Sequence, residues 1–339
     1  MKLAVGFLTY NEASAKYLAE FLPSLETALK FLSVTDYQVY AFDNSSPDNK
    51  LNYLGLENYN QGVNYPQLPR RPIKYLSAGS NLGFSQAYNI LINLAVSNRT
   101  EYFLIINPDT LLEPKAIEEL LKVLEGEADL ATVAPKVLRW DFDHNLKTKI
   151  IDSLGLILRP ALQFLDLGQG EEDDASFYST EIIGPSGAAG LFRISALQKI
   201  AELGGNDQIA HYFDERFFMY KEDCDLAYRL FLAGFKSRLV ITAIIYHDRT
   251  ATSSGSGLWN KIINRRKKSR QIRSWSFKNQ HIIFNKYWKK QNNVNQFLIL
   301  FRLLSMFIFS LILEQFNLKQ YYNIWQSSKI PSKQLTNIK

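Results

Sequence analysis

Short apolar runs alternate with longer amphipathic stretches over residues 1–135. "KLAVGFL" (2–8), "YQVYAF" (37–42), "YFLII" (102–106) and "LATVAP" (130–135) read as strands, and 14–32, 84–97 and 114–125 as helices. That order predicts an α/β fold with a mostly parallel, mixed sheet flanked by helices. Residues 49–72, rich in Asn, Tyr, Pro and Gly, read as a surface excursion, and the pattern weakens over 136–183, where "GQGEEDDAS" (168–176) reads as a polar loop. A helix from about residue 222 is expected to end at Gly234, a C-terminal cap, before "RLVITAIIYH" (238–247) returns to strand.

Near the C-terminus, "FLILFRLLSMFIFSLIL" (297–313) holds 14 apolar residues in 17. As a helix the run reaches about 25 Å, short of the ~30 Å hydrocarbon core of a bilayer. An interfacial or re-entrant helix is the expected reading, with a core helix packed on the preceding body as the alternative.

Composition sharpens this division. With 21 % charged and 46 % hydrophobic residues the chain is an ordinary folded one, but its charge is split. Residues 1–248 carry 22 Lys and Arg against 32 Asp and Glu, whereas residues 249–339 carry 17 basic residues and a single acid, Glu314. An acidic body suits metal-assisted chemistry and a basic tail suits an anionic surface. Eleven of the basic residues fall in 261–290, interleaved with aromatics. That mixture also suits single-stranded nucleic acid, but the apolar run beyond it favours a membrane, and no nucleic-acid partner is expected. The lone Cys224 makes no internal disulfide, and Leu3–Leu8 is shorter than a signal-peptide core, so a cytoplasmic location is expected.

Three predicted strands end in polar residues: "LTYNE" (Thr9, Asn11, Glu12), "FDNSSPD" (Asp43, Asn44, Asp48) and "INPDT" (Asn107, Asp109, Thr110). Each alone reads equally as a turn or cap. Together they suit a crevice outside the carboxyl ends of the strands. "GSNLGFSQAYN" (79–89), with Asn81 and Gly83, supplies a turn into a helix whose first N–H groups can meet phosphate oxygens. It matches neither a P-loop nor a dinucleotide fingerprint. "GPSGAAGLFR" (184–193) places small residues, Gly187, Ala188 and Ala189, where a substrate can approach the backbone. In "YKEDCDLAYRL", Glu222, Asp223 and Asp225 crowd the first turn of a helix, which suits its dipole but exceeds what a cap requires.

As an ordered set over residues 1–250, "TYNE", "FDNSSPD", "NLGFSQAYN", "NPDT", "DSLGL", "GQGEED", "GPSGAAGLFR", "YKEDCDLAYRL" and "YHDRT" resemble the family-2 glycosyltransferases of the GT-A fold, nearest the bacterial rhamnosyltransferase-like branch. The resemblance implies a catalytic domain over 1–250, with a nucleotide-sugar half (1–135) and an acceptor half (136–250), and a membrane-associating tail over 251–339. It implies that Asp43 meets the nucleotide base, with Thr9, Asn11, Glu12, Asn44, Asn81, Gly83 and Asn107 on the donor. Asp109 and His247 then hold Mg²⁺ or Mn²⁺ on the diphosphate, Asp223 is the base, and Gly187, Ala188, Ala189, Glu222 and Asp225 face the acceptor. Asn107 stands where the general motif has Asp, which leaves Asp109 as the surer metal ligand. The implied activity is inverting transfer, of L-rhamnose from dTDP-rhamnose, to a polyprenyl-diphosphate-linked or polysaccharide acceptor. The implied place is the inner face of the cell membrane, reached through residues 261–313. A UDP-sugar donor (galactofuranose, glucose or N-acetylglucosamine) and a non-catalytic membrane-surface or nucleic-acid-binding protein on the same fold are the alternatives.

Overall fold

The computed structural model describes residues 1–63, 71–174, 181–203, 209–249, 265 and 268–329. Its strands are β1 (Leu3–Thr9), β2 (Tyr37–Asp43), β3 (Lys74–Ser77), β4 (Tyr102–Ile106), β5 (Thr110–Leu112), β6 (Leu130–Asp141), β7 (Leu146–Ser153), β8 (Leu156–Arg159), β9 (Gln163–Asp166), β10 (Glu181–Ile182), β11 (Ala189–Arg193), β12 (Glu202–Leu203), β13 (Ala210–His211) and β14 (Lys236–His247). The helices are α1 (Asn11–Ala15), α2 (Leu18–Leu29), α3 (Leu51–Asn60), α4 (Gly83–Ser97), α5 (Ala116–Gly126), α6 (Ile194–Ile200), α7 (Glu222–Leu232), α8 (Arg270–Tyr287), α9 (Asn293–Ile312) and α10 (Leu318–Lys329).

Ten strands form one mixed sheet in the order β10-β14-β6-β11-β4-β1-β2-β3, with β5 added to β14 and β7 to β6. The pairs β4–β1, β1–β2, β2–β3 and β6–β14 are parallel, and β11 runs antiparallel between β4 and β6. β1, β2 and β4 are buried on both faces, as the continuous apolar runs required. One face packs on α2, α3 and α5 through Phe21, Leu25, Leu56, Leu120 and Leu124, and the other on α4, α6 and α7 through Tyr88, Leu91, Leu197 and Leu230.

Register sets the site. Thr9 lies opposite Asp43 and Asp43 opposite Ser77, so β1, β2 and β3 end level with one another. β4 stops at Ile106, directly before Asn107. The expected convergence of polar strand ends is therefore built by the sheet itself.

Four expectations need correction. The helix expected over 14–32 is broken into α1 and α2, and the excursion at 49–72 contains α3, whose buried face includes a polar residue, Asn52, beside Leu56 and Tyr59. That weak apolar stripe hid it. The expected boundary at residue 250 does not divide two cores either. α8 buries Ile282, Ile283, Phe284 and Tyr287 against Phe217, Tyr228 and the β8–β9 hairpin, so it belongs to the body. α9 seats Ile299 on the same cluster, while Asn295 accepts from Ala161 N–H and Arg302 donates to Ala161 C=O at 3.0 Å. Its other face, with Val294, Phe297, Leu300, Phe301, Leu304, Ile308 and Leu311, is exposed, a helical stripe with no partner among the described residues. At 20 residues α9 is about 30 Å long, so the shortness expected from 297–313 does not hold.

Candidate active site

The nucleotide end of the crevice is organised around Asp43. Its Oδ1 accepts from Thr9 Oγ1 (3.0 Å), Ser45 Oγ (2.6 Å) and Asn52 Nδ2 (3.3 Å), and its Oδ2 from Tyr75 Oη (2.9 Å). Burial, with Asp43 adding to it, pushes the Tyr75 phenol up to about 12, so it stays a donor. Tyr53 meets Tyr75 edge-on with centroids 5.2 Å apart, giving the pocket an aromatic wall. Asn11, at φ +45°, gives its N–H to Ser45 Oγ and keeps a buried Oδ1 without a partner. Thr9, Asn11 and Asp43 thus come together as expected. Glu12 lies on the exposed rim, accepting from Asn49 at 3.3 Å.

The glycine turn does not present free N–H groups. Leu82 N–H is taken by Asn44 Oδ1, Gly83 N–H by Asn81 Oδ1 and Phe84 N–H by Phe218 C=O, all within 3.0 Å. Asn44, Asn81 and Gly83, expected on the donor, instead build the start of α4. Gly83 sits at φ +77°, and a Cβ there would lie 2.4 Å from the Phe218 carbonyl oxygen. Glycine is needed for close approach of that loop, not for phosphate.

At the other end of the crevice, "NPDT" is indeed a turn: Thr110 Oγ1 closes onto Asn107 C=O at 2.6 Å, and Asn107 N–H bonds Ala188 C=O. The turn also carries a site. β5 pairs antiparallel with β14 so that Thr110 faces His247, which brings His247 Nε2 to 3.4 Å from Asp109 Oδ2. His247 Nδ1 lies 2.8 Å from Asp152 Oδ2, and Arg249 reaches Asp152 Oδ1 at 2.9 Å. Burial opposes charge on His247, but the carboxylates of Asp109 and Asp152 outweigh it and push the imidazole up to about 10. Burial likewise opposes charge on Asp152, yet His247 and Arg249 hold it at about 2.

Do these residues fit a metal? Asp109 Oδ1 is buried and without a partner among the described residues, and His247 is oriented by a carboxylate on its other nitrogen, the usual outer-shell partner of a ligating histidine. Among the described residues no group of three His, Cys, Asp or Glu side chains forms a full cage. The pair therefore fits a divalent cation whose remaining ligands are diphosphate and water oxygens.

Between the two ends stands the acid pair that opens α7. Asp223 is half-buried, with Oδ2 accepting from Gly187 N–H (3.0 Å) and Oδ1 from Cys224 N–H (2.7 Å). Glu222 is buried, and desolvation first, then Asp223 beside it, push its carboxyl well above the ordinary range. A carboxyl raised in this way is suited to hold a proton. They are swung into the crevice by Tyr220 (φ +72°) and Lys221 (φ +69°), a backbone that costs on the order of 1–3 kcal/mol at each position.

Three residues expected at the acceptor are placed elsewhere. Asp225 is fully buried and binds Arg229 Nε (2.9 Å), Lys286 Nζ (2.9 Å) and Tyr287 Oη (2.6 Å) behind the site. Ala188 and Ala189 are buried too, Ala189 in β11 opposite Ile106. Of the small-residue segment, only Gly187 meets the acid. The sequence pattern does not single out Asp152, Arg249, Ser45, Asn52 or Tyr75: nothing in "DSLGL" and "YHDRT" signals that Asp152 and Arg249 pair, and the polar face of α3 carries no signal.

A mixed sheet with acids and a histidine gathered at its carboxyl ends is the GT-A arrangement. Solved structures share the fold: Staphylococcus aureus TarS (TM-score 0.54, 14 % identity, 98 % of this chain but only 50 % of that one) and the mannosyltransferase PcManGT of Pyrobaculum calidifontis in complex with GDP-Man and Mn²⁺ (TM-score 0.51, 13 %, covering 97 % and 75 %). The family model for glycosyl transferase family 2 matches residues 5–200, and the chain belongs to that family. Among curated proteins it is similar to the N-acetylglucosaminyl-diphospho-decaprenol L-rhamnosyltransferase of Mycobacterium tuberculosis H37Rv, 28 % identical over 281 residues, 75 % of this chain and 78 % of that one.

Proposed function

We propose that this glycosyltransferase inverts the anomeric centre while moving L-rhamnose from dTDP-rhamnose to a hydroxyl of a polyprenyl-diphosphate-linked acceptor. The observation that carries the reading is the Asp109–His247–Asp152 chain, whose partner Arg249 also feels the charge of Asp223. The mycobacterial relative supports the sugar and the lipid-linked acceptor. Asp43 accepts the N3–H that thymine and uracil share, with Tyr53 and Tyr75 as the wall of the base pocket. A UDP-sugar therefore suits the same pocket and stands as the second reading. Asp109 and His247 would hold a divalent cation, which would supply positive charge to the departing diphosphate.

Asp223 receives the proton of the acceptor hydroxyl as that oxygen bonds to the anomeric carbon from the face opposite the diphosphate. The carbon–oxygen bond to the diphosphate breaks with its electron pair on the phosphate oxygen, so configuration inverts. A thermal-shift panel of dTDP-, UDP- and GDP-sugars with Mn²⁺, followed by NMR of the product anomer, tests this. Stabilisation by a UDP-sugar alone rejects the rhamnose donor, and a retained anomer rejects Asp223 as base for direct displacement.

The exposed stripe of α9, with Phe297 at 68 % and Phe301 at 65 % exposure, supports in-plane docking on the inner face of the cell membrane. Lys289, Lys290 and Lys319 flank it. Part of the expected basic segment, 261–264 and 266–267, lies outside the described residues. The test is co-sedimentation with phosphatidylglycerol vesicles of the wild type and of Phe301→Gln/Leu304→Gln/Ile308→Gln. Equal binding of both rejects α9 as the contact.

A further inference from the structure

Four consecutive carbonyls run through the loop that precedes the acid pair, and every one has a donor from a neighbouring helix. Ser85 Oγ serves Phe217 and Phe84 N–H serves Phe218 (2.8 Å), both from the first turn of α4. Asn279 of α8 serves the other two, its Nδ2 lying 2.8 Å from Met219 C=O and 2.6 Å from Tyr220 C=O. Asn279 is 2 % exposed, and one turn earlier Trp275 packs on the Phe218 ring with centroids 5.2 Å apart. The next residues, Tyr220 and Lys221, are the left-handed pair that turns Glu222 and Asp223 toward the crevice. Neither is glycine, so the chain does not choose this conformation unaided. Lys221, the N-cap of α7, makes no side-chain cap bond either.

We propose that Asn279 is a positioning residue for the base. Its amide clamps the Met219 and Tyr220 carbonyls, fixes the left-handed turn at Tyr220–Lys221, and so holds the Asp223 carboxylate where the acceptor hydroxyl loses its proton. The proposal rests on the reading of Asp223 as base. It also gives α8, which lies beyond residue 250, a part in the chemistry. Asn279 touches no substrate and acts only through the loop. Because a base must sit within hydrogen-bond reach of the proton it takes, a displacement of about 1 Å costs on the order of 100-fold in rate.

The test compares full-length wild type, Asn279→Ala and Asn279→Ala/Lys221→Gly, with donor and acceptor saturation kinetics and with amide hydrogen exchange of the peptide spanning 217–223. Asn279→Ala is expected to lower kcat about 10- to 100-fold with both KM values within twofold, and to speed exchange in that peptide. Lys221→Gly, which admits φ > 0 without a side-chain penalty, is expected to restore at least a threefold part of the loss. An unchanged kcat, a loss carried by donor KM, or no regain with glycine overturns the clamp. Asn279→Ser, with a hydroxyl too short to span both carbonyls, replaces Asn279→Ala if the latter does not fold. Its loss is expected to be the same in kind, and kcat within twofold of wild type counts against the clamp. If wild type transfers no sugar from any donor, the proposed function fails by itself. The exchange result then decides the clamp alone: faster exchange in 217–223 upholds it, and unchanged exchange overturns it.

Discussion

Asp225→Asn is expected to weaken folding and to leave acceptor affinity unchanged. The residue stands two positions after the proposed base, but its carboxylate faces away from the crevice, into a pocket it shares with Arg229 and Lys286, each 1 % exposed. With the charge removed, Arg229 keeps the carbonyls of Ile200 and Tyr212, and Lys286 keeps Asp214 at 2.8 Å. Two buried cations are then left with Asp214, which Arg216 also holds, and with Glu202 at 3.6 Å from Lys286. Breaking a buried pair from one side costs about 3–5 kcal/mol. At an unfolding entropy of about 2.1 cal/mol/K per residue, a chain of this length loses ~0.7 kcal/mol per degree, so the midpoint falls by about 4–7 °C. Scanning calorimetry measures the shift, and Lys286→Met in the Asp225→Asn background is expected to recover part of it, since the orphaned charge is gone. The reasoning fails if Asp225→Asn leaves the midpoint within 1 °C of wild type, or if acceptor KM rises tenfold while the midpoint holds.

Asp223→Asn is expected to lower kcat by about 10²–10⁴-fold while calorimetric donor binding stays within twofold of wild type; lost donor binding would reassign the residue to the donor. Asp152→Asn, which removes the charge that orients His247 through Nδ1, is expected to weaken Mn²⁺ binding in the presence of nucleoside diphosphate by about 10–100-fold, measured by titration calorimetry. Equal Mn²⁺ affinity in both proteins would detach His247 from the metal. Burial opposes the charge of Asp214, but Arg216 and Lys286 hold its carboxyl below the ordinary range. A depressed folded value means its contribution is complete above the unfolded value of about 3.9 and fades as pH falls below that. Asp214→Asn is therefore expected to lower stability at pH 7 and to flatten its fall below pH 4, read by urea unfolding at pH 7, 4 and 3; a parallel fall in both proteins would refute it.

What the sequence made legible follows burial. β1, β2 and β4 are covered on both faces, and their uninterrupted apolar runs located them within a residue or two. α3 escaped because Asn52, one of its buried residues, is polar and serves Asp43 rather than the core. Asp43, Asp109, Asp223 and His247 stand at element ends and could be picked out by position. Asp152 could not: it lies near the end of β7, a strand exposed over its first half, and its importance comes from pairing across 95 residues with His247. Gly83 and Asn44 were assigned to the ligand because a glycine turn before a helix suits phosphate equally well. Its closure by the side-chain oxygens of Asn44 and Asn81 and by the Phe218 carbonyl, the last 135 residues away in sequence, shows only in the fold.

The basic tail is the clearest case of one composition serving two physical ends. Read as charge, residues 249–339 suggested a surface for anions. In the fold, Arg249 is bound to Asp152, Lys286 lies inside the body on Asp214 and Asp225, Arg265 and Arg273 share Glu314, and Arg302 caps a carbonyl. Those five cations hold the acid-rich body and the last helices together. Each satisfies a particular acceptor, so none can be lent to a lipid headgroup without breaking a contact of the fold. Among the described residues, the exposed cations Lys268, Arg270, Lys289, Lys290 and Lys319 remain for that purpose, beside an apolar stripe running the length of α9. Under the proposed docking, the apolar face contributes more than the net charge suggests. The vesicle test accordingly substitutes Phe301, Leu304 and Ile308, which the body does not need, rather than cations that it does.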